Sequence, residues 1–232
     1  MEPRPDGRPR SGDPLVIFDC NGVLVDSERI ATTVASQEFM RAGFPLTPDI
    51  VARYFTGRRP ADMFAEVEIA ARRKLPANFA ATVAAATLQR FRTELRATPH
   101  MAYALTWLRG PKCVASSSSL DRIRVILETT DLIRYFEPNL FSANDVPNGK
   151  PAPDLLLHVA AKTGTAPARC IVVEDSPVGV AAAAAAGMTP IGFVGGSHAG
   201  THLGAHLIAA GARSVIADMR ALKRAVIDLR GW

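Results

Sequence analysis

Short apolar runs that alternate with helix-like segments restrict the fold of this chain more than any other feature. Runs long enough for one buried strand each fall at 15–20, 112–116, 139–142, 170–174, 189–194 and 214–217. Segments with helical composition lie at 101–109, 120–129, 153–163, 177–186, 202–210 and 218–229. Strands that alternate with helices across short connections form parallel sheets covered on both faces. We therefore expect an α/β protein with a doubly wound, Rossmann-like parallel sheet.

The alternation is interrupted once, directly after the first strand. Within 28–98 the β-branched runs disappear, and alanine, arginine, glutamate and leucine dominate. Prolines near helix-starting positions divide this segment into four predicted helices, at 28–42, 48–55, 60–74 and 77–97. We expect 28–98 to form an inserted α-helical domain, 15–27 and 99–232 to form the core domain, and 1–14 to be a disordered tail.

Polar side chains follow the ends of several predicted strands or lie in the loops beyond them. They are Asp19, Asn21, Ser116, Lys150, Glu174 and Asp175. Ligands of open parallel sheets bind beyond the carboxyl ends of the strands. Carboxylates suit Mg²⁺, which is often completed by substrate phosphate, and a lysine and a hydroxyl suit the phosphate oxygens. Each residue alone is also a common turn former or helix cap, but together they predict a phosphate and metal site.

Four segments that carry these residues resemble the motifs of the haloacid dehalogenase (HAD) superfamily. They are Asp19–Ser27, Ser116, Gly149–Pro151 and Val172–Ser176, in the family's order. The resemblance covers roughly 15–217 and is closest to the branch with a helical cap between the first two motifs. That branch includes sugar-phosphate phosphatases and β-phosphoglucomutase. The resemblance implies a HAD core with an inserted α-helical cap, and a phosphatase that acts on a small phosphorylated metabolite such as a sugar phosphate.

The resemblance also implies a role for each matching residue. Asp19 attacks phosphorus and forms an aspartyl-phosphate, which divides one difficult step into two. Ser116 and Lys150 hold the transferring phosphoryl group. Ser117 and Ser118 either add hydroxyl contacts or serve only in the turn and cap before the next helix. The implied cofactor is Mg²⁺, with ligands from Asp19, the backbone carbonyl of Asn21, Glu174 and Asp175.

Asn21 departs from the family's pattern, which has an aspartate two residues after the nucleophile as the acid and base. An amide exchanges no proton at neutral pH, so we expect turnover of alkyl phosphates to be lower by about 10²- to 10⁴-fold. Three explanations stay open: a deliberate replacement that traps a complex, a naturally weakened or binding-only relative, or a proton supplied by another group. The alternative function is therefore a catalytically silenced protein that binds a phosphorylated ligand.

The loop between the second and third predicted helices contains Gly57, Arg58 and Arg59, where related enzymes place a substrate-specificity loop. Gly57 permits a tight turn, and either arginine has the reach to bind a carboxylate, a hydroxyl or a second phosphate. Two solvated arginines at a helix start are an equally ordinary arrangement. Related mutases carry a histidine where this chain has Ala31, which disfavours a phosphomutase.

The net charge of +5 raises the question of nucleic-acid binding. Eleven Lys and Arg and seven Asp and Glu lie within 28–98, so most of the excess belongs to the expected cap and not to a terminal basic block. We expect a small phosphorylated metabolite as partner, and neither nucleic acid nor membrane. The N-terminus lacks the apolar centre of a signal peptide. The expected location is the cytoplasm, and the expected state is a monomer or a weak homodimer.

Several other residues are expected to serve structure. Three thiols, far apart in the sequence, predict buried and unpaired cysteines: Cys20, Cys113 and Cys170. Trp107 and Phe44 are expected in the core. His198, His202 and His206 recur at a spacing of four, which on a helix can form a metal site. The adjacent glycines and the absence of nearby acidic or thiol ligands in the sequence favour exposed histidines instead.

Overall fold

The computed structural model describes residues 13–55 and 57–229, and its centre is a six-stranded parallel sheet. The strands are β1 (Leu15–Phe18), β2 (Lys112–Ser116), β3 (Leu140–Ser142), β4 (Cys170–Glu174), β5 (Thr189–Phe193) and β6 (Ser214–Ile216). Each of them coincides with a predicted apolar run to within two residues at either end. Residues 1–12, most of the tail expected to be disordered, lie outside the described residues.

The order of the strands places a crevice at the middle of the sheet. Along the sheet the order is β3-β2-β1-β4-β5-β6, and neighbouring strands are parallel. The chain runs from β1 outward to β3, returns to the centre for β4, and then runs outward to the other edge. Ligands of doubly wound sheets bind where the strand order reverses in this way. That point lies at the carboxyl ends of β1 and β4.

Six helices of the core follow the strands in the predicted order. They are α5 (Met101–Trp107), α6 (Leu120–Thr129), α7 (Asp154–Thr163), α8 (Pro177–Ala185), α9 (Leu203–Ala209) and α10 (Leu222–Asp228). Along β1, Val16 and Phe18 pack with α5, α6 and α10, whereas Leu15 and Ile17 pack with α7 and α8 on the other face. This alternation follows from the two-residue repeat of a strand. The doubly wound α/β fold is therefore confirmed.

The helical segment predicted after β1 is also present. Its helices are α1 (Glu28–Arg41), α2 (Pro48–Phe55), α3 (Pro60–Ala71) and α4 (Phe79–Glu94). They enclose a hydrophobic cluster of their own, in which Phe39 packs against the rings of Phe44, Phe64 and Phe79. Phe44 is buried, as predicted. α3 ends three residues earlier than predicted because Arg72 takes a left-handed conformation, with φ of 49°.

Two linker segments, one before and one after the helical insertion, run next to each other and connect it to the sheet. Val25 pairs with Ala97 in an antiparallel bridge, and the N–H of Asp26 donates to the carbonyl of Arg96 at 3.1 Å. The N–H of Thr98 donates to the carbonyl of Leu24 at 3.0 Å. The insertion therefore leaves and rejoins the core at one place, next to the end of β1.

Two further sequence predictions have different outcomes. The three cysteines are buried and free, as predicted. Trp107 was expected in the core, but it is 47% exposed, because it ends α5 at the surface and stacks there with Tyr103 and Lys223. Among the helices of the described residues, none combines the length and the apolar character that a membrane crossing requires.

The aromatic cluster predicts a large stability difference between two positions of the insertion. Phe39 is fully buried, so Phe39→Ala should lower the free energy of unfolding by about 3–5 kcal/mol. Ile69 is 77% exposed on α3, and Ile69→Ala should change it by less than about 0.5 kcal/mol. Urea unfolding monitored by circular dichroism measures both values. Equal effects of the two substitutions would contradict the packing described here.

Candidate active site

Asp19 lies one residue beyond β1, at the crevice in the middle of the sheet. Its backbone N–H donates to the carbonyl of Val173 on β4 at 3.0 Å, so the loop after β1 starts from a fixed position. Its carboxylate oxygen Oδ1 accepts a hydrogen bond of 2.6 Å from Lys150 Nζ, and the same ammonium donates to Glu174 Oε1. All three side chains are buried. Three of the predicted site residues, distant in sequence, thus meet at one point.

Burial and charge together determine the ionisation of this cluster. Burial raises the pKa of Asp19 well above its usual value; the charge of Lys150 opposes this rise, and Glu174 and Asp175 add to it. Burial alone would lower the pKa of Lys150, but the charges of Asp19 and Glu174 outweigh it and raise that pKa. Lys150 thus holds two carboxylates, and the charge of Asp175 close by adds to their repulsion.

Asn21 joins the loop after β1 to the loop after β2. Its Nδ2 donates to Ser118 Oγ at 3.0 Å and more weakly to Ser116 Oγ at 3.4 Å. Its Oδ1 accepts a hydrogen bond of 3.0 Å from Ser27 Oγ. Both ends of the amide therefore have partners, and the side chain is held in one orientation. The serines at 116 and 118, both buried, stand beside it.

Gly57 brings the helical insertion into contact with the core. Its carbonyl accepts a hydrogen bond of 3.0 Å from Ser117 Oγ. Its φ is 80°, which favours glycine, and a Cβ at this position would lie 2.5 Å from Ser176 Oγ. The predicted specificity loop thus approaches the serines of the core closely, and only a residue without a side chain fits there.

The two predicted arginines of this loop have different surroundings. Arg58 lines the cavity described below and forms a two-point ion pair with Glu66, one contact of which measures 2.9 Å. Arg59 binds Asp62 at 3.0 Å, and its Nη atoms lie 3.4–3.5 Å from the carbonyl of Pro147. Arg59 therefore contacts the loop that precedes Lys150 and does not line the cavity.

A cavity of about 100 Å³ lies between the strand ends and the helical insertion. Its lower wall belongs to the core and its upper wall to α1, α3 and α4. The polar and charged residues that line it are Asp19, Asn21, Glu28, Thr32, Arg58, Thr87, Ser117, Ser118 and Arg122. The predicted nucleophile thus lines a partly open cavity that is bounded by both parts of the chain.

Asp175 directly follows β4, and its carboxylate lies against the imidazole of His198. Its carboxylate oxygen Oδ2 is buried and has no hydrogen-bond partner among the described residues. The nearest polar atom is His198 Nε2, at 2.9 Å but without the alignment of a hydrogen bond. Gly22 permits this crowding, because a Cβ there would lie 1.8 Å from the same oxygen. The imidazole of His198, whose pKa this carboxylate raises, is therefore the ion-pair partner of the oxygen within the described residues.

The prediction that the three histidines are exposed is wrong for His198. His202 and His206 are exposed, but the side chain of His198 is only 12% exposed. Its loop is held over the site because the N–H and Oγ of Ser197 both donate to Asp26. Burial lowers the pKa of His198, but the adjacent Asp175 outweighs it and raises that pKa. A glycine-rich sequence does not reveal such a contact, since the contact depends on a distant loop.

The predicted metal ligands converge, but they do not form a complete ligand set. Within 13–55 and 57–229, no three histidine, cysteine, aspartate or glutamate side chains form a preassembled metal-binding group. Glu174 is already engaged on both oxygens, by Lys150 and by Ser176 Oγ at 2.9 Å. Asp19 and Asp175 remain the side chains with the freest oxygens, and a hard cation there would also require backbone or substrate oxygens.

Comparisons with known proteins agree with this arrangement. A family model described as haloacid dehalogenase-like hydrolase matches residues 14–187. The chain is 30% identical to the 6-phosphogluconate phosphatase of Escherichia coli K12, over 79% of this chain and 83% of that protein. This chain belongs to the haloacid dehalogenase-like hydrolases. The family resemblance seen in the sequence is confirmed, and so is the hydrolase class expected from it.

Other relatives of this hydrolase extend the comparison. It is 32% identical to a probable pseudouridine-5'-phosphatase of Drosophila melanogaster, over 74% of this chain and 78% of that protein. A haloacid dehalogenase-like protein of unknown function from Agrobacterium tumefaciens is 37% identical and superimposes with a TM-score of 0.80, over 94% and 99% of the two chains. A HAD family hydrolase from Deinococcus radiodurans with bound phosphate and sodium is 29% identical, with a TM-score of 0.72 over 95% and 97% of the two chains.

Two charged residues of the hydrolase's cavity were missed at the sequence level. Glu28 begins α1 directly after the first motif, and Arg122 lies in the first turn of α6, just after the serine run. Burial raises the pKa of Glu28 to about 7; the charge of Asp175 adds to this rise, whereas His198 and Arg122 oppose it. The sequence offered one signal for these residues, their position. Glu28 directly follows the first motif, and Arg122 comes shortly after the serine run of the second motif.

These pKa shifts predict how the stability of the metal-free protein depends on pH. The pKa values of Asp19, Glu28 and His198 are all raised on folding, so the native state binds more protons than the unfolded state. The free energy of unfolding should therefore fall as pH rises from about 4.5 to 7. Glu28→Gln should make this decline shallower, because it removes the contribution of Glu28. Urea unfolding in EDTA at a series of pH values measures the free energy of unfolding of the original chain and of Glu28→Gln.

The same unfolding experiment, repeated with Mg²⁺, compares the stability of the protein with and without the ion. The ion binds the deprotonated carboxylates, so it should stabilise the protein more at pH 7.5 than at pH 5. Parallel stability curves for the original chain and Glu28→Gln would contradict the assignment of Glu28 to a buried, charge-crowded position.

Proposed function

We propose that this hydrolase is a Mg²⁺-dependent phosphatase that acts on a small phosphorylated metabolite through an aspartyl-phosphate on Asp19. The observation that carries the proposal is the meeting of Asp19, Lys150, Glu174 and Asp175 beneath a partly open cavity. Relatives named as phosphatases of 6-phosphogluconate and of phosphorylated carbohydrates support a sugar phosphate or a similar compound as the substrate.

The reaction begins with a nucleophilic attack by Asp19. Its Oδ1 is held by Lys150, which leaves Oδ2 to attack phosphorus. A bond forms between Oδ2 and phosphorus, and the bond from phosphorus to the leaving oxygen breaks. Lys150 and the hydroxyls of Ser116 and Ser118 hold the non-bridging oxygens, where negative charge is concentrated. A water molecule then hydrolyses the aspartyl-phosphate and releases inorganic phosphate.

The residues present fit Mg²⁺. Asp19, Asp175 and the backbone carbonyl of Asn21 would hold it, and the bound ion would offset the charge of the carboxylates and of the phosphoryl oxygens. The mutual repulsion of the Asp19, Glu174 and Asp175 carboxylates favours a cation here. Since both oxygens of Glu174 are engaged, Glu174 acts by holding Lys150 in place or through a water molecule.

Asn21 limits the reaction at its two proton transfers. The amide neither protonates the leaving oxygen nor deprotonates the attacking water. Its hydrogen bonds to Ser27 and Ser118 keep it in the position of an acid or base without that function. We infer slow breakdown of the aspartyl-phosphate and slow release of poor leaving groups, with phosphate binding preserved. The same residue supports the second candidate, a silenced protein that binds its phosphorylated ligand.

The helical insertion acts as the cap. Gly57 contacts Ser117 at the cavity that Asp19 also lines, and the paired linkers near Val25 and Ala97 join the cap to the core. A closed cap excludes water and strengthens the electrostatic contacts to the phosphoryl group.

Restoring the acid tests the proposal. Asn21→Asp should raise kcat/KM for an alkyl phosphate such as glucose 6-phosphate by about 10²- to 10⁴-fold. The gain should be smaller for p-nitrophenyl phosphate, whose leaving group needs no proton in the first step. Phosphate release measured with Mg²⁺ gives both ratios. Asn78→Asp, at the exposed start of α4, makes the same substitution far from the cavity and should change neither ratio.

Two results would reject parts of this account. Equal rates of the original chain and Asn21→Asp on the alkyl ester would reject the role of position 21. A panel of phosphorylated metabolites that all bind, but release no phosphate with either protein, would favour the silenced binder.

A further inference from the structure

Arg122 is a half-buried arginine that the reaction does not use. It lies in the first turn of α6, and its side chain lines the cavity on the same wall as Ser117 and Ser118. Its guanidinium stands 5.0 Å from the ring centre of Phe91, on α4 of the cap. Its Nε is shielded from solvent and has no hydrogen-bond partner within the described part of the chain. The charge thus lies between cap and core, facing the cavity.

The fold gains little from a charge at this place. A half-buried guanidinium loses part of its hydration, and a cation–π contact with one phenylalanine returns only a small part of that loss. A positive charge in the first turn also opposes the helix dipole, which favours anions there. Burial accordingly lowers the pKa of Arg122, an effect that the nearby charge of Glu28 opposes. The position is unfavourable unless an anion enters the cavity.

The other cations near the cavity already have acidic partners. Lys150 binds Asp19 and Glu174, and Arg58 binds Glu66 at two points. Glu28 also lines the cavity, but it forms no ion pair with Arg122 among the contacts of the described residues. Arg122 is therefore the cavity cation that remains available to a ligand.

We propose that Arg122 binds a second anionic group of the substrate, at the end opposite the phosphoryl group. The inference rests on the proposed phosphatase function and names its substrate class: phosphorylated acids, or bisphosphates, in preference to neutral sugar and polyol phosphates. The guanidinium suits the planar geometry of a carboxylate and also that of a phosphate. Arg58 and Arg59, either of which the sequence allowed for this role, are held by Glu66 and Asp62 instead.

A matched pair of compounds tests the inference. 6-Phosphogluconate and sorbitol 6-phosphate share an open six-carbon chain and one phosphoryl group, and they differ only in a carboxylate or a hydroxymethyl group at carbon 1. The original chain should favour the acid in kcat/KM by roughly 10- to 150-fold, the range expected for hydrogen bonds to a charged group. Sorbitol 1,6-bisphosphate shows whether a second phosphate serves as well as a carboxylate.

Variants of two arginines on α6 separate recognition from structure. Arg122→Gln should reduce the preference to nearly one. Arg122→Lys should retain part of the preference, because it keeps the charge. Arg124→Gln, two residues further along α6 and paired with Glu137 at the surface, should leave the preference unchanged. The preference is the ratio of kcat/KM values for two substrates on the same protein. Partial unfolding of a variant lowers both values equally and leaves the ratio unchanged.

Binding to Asp19→Asn, measured by calorimetry with Mg²⁺, gives a second readout that needs no turnover. Equal affinity for the acid and the polyol, or a preference that survives Arg122→Gln, would overturn the inference. If the protein still hydrolysed p-nitrophenyl phosphate in that case, the phosphatase proposal would remain standing. Selective binding of the acid that depends on Arg122, without phosphate release from any compound, would support the anion site and reject the phosphatase.

Discussion

The buried ammonium of Lys150 between Asp19 and Glu174 is the contact on which the rest of the site depends. The two carboxylates follow β1 and end β4, the neighbouring strands at which the sheet reverses its order. Ionised groups are strongly disfavoured in such a place unless they neutralise one another. Lys150 therefore holds the loop after β3 against the centre of the sheet. The positions of Asp175 and of the serines after β2 are set by the same strand ends.

This cluster explains why one end of the site was predictable. A parallel sheet brings its carboxyl ends to one edge, so a polar residue after each apolar run is sufficient to place Asp19, Ser116 and Glu174 together. The helical insertion was predictable for a similar reason, since its composition changes abruptly at 28 and its prolines mark helix starts. These are local signals that need no knowledge of distant contacts.

Long polar side chains were less predictable, because their partners come from other elements. Arg58 and Arg59 looked equivalent in the sequence, yet one pairs with Glu66 at the cavity and the other faces the loop before Lys150. His198 lies against Asp175 only because Ser197 binds Asp26. Arg122 belongs to none of the four motifs. The proposed placement of the chemistry at the strand ends, and of substrate selection between α6 and the cap, therefore depends on tertiary contacts that the sequence does not show.

The central claim is that Asp19 becomes phosphorylated during turnover. Asn21 should slow the hydrolysis of this intermediate, so it should accumulate. The direct measurement is peptide mass spectrometry after an acid quench of the protein with p-nitrophenyl phosphate and Mg²⁺. The account predicts that the peptide containing Asp19 gains the mass of one phosphoryl group, and that Asn21→Asp lowers the modified fraction. Phosphate release without any modification of that peptide in either protein would contradict it.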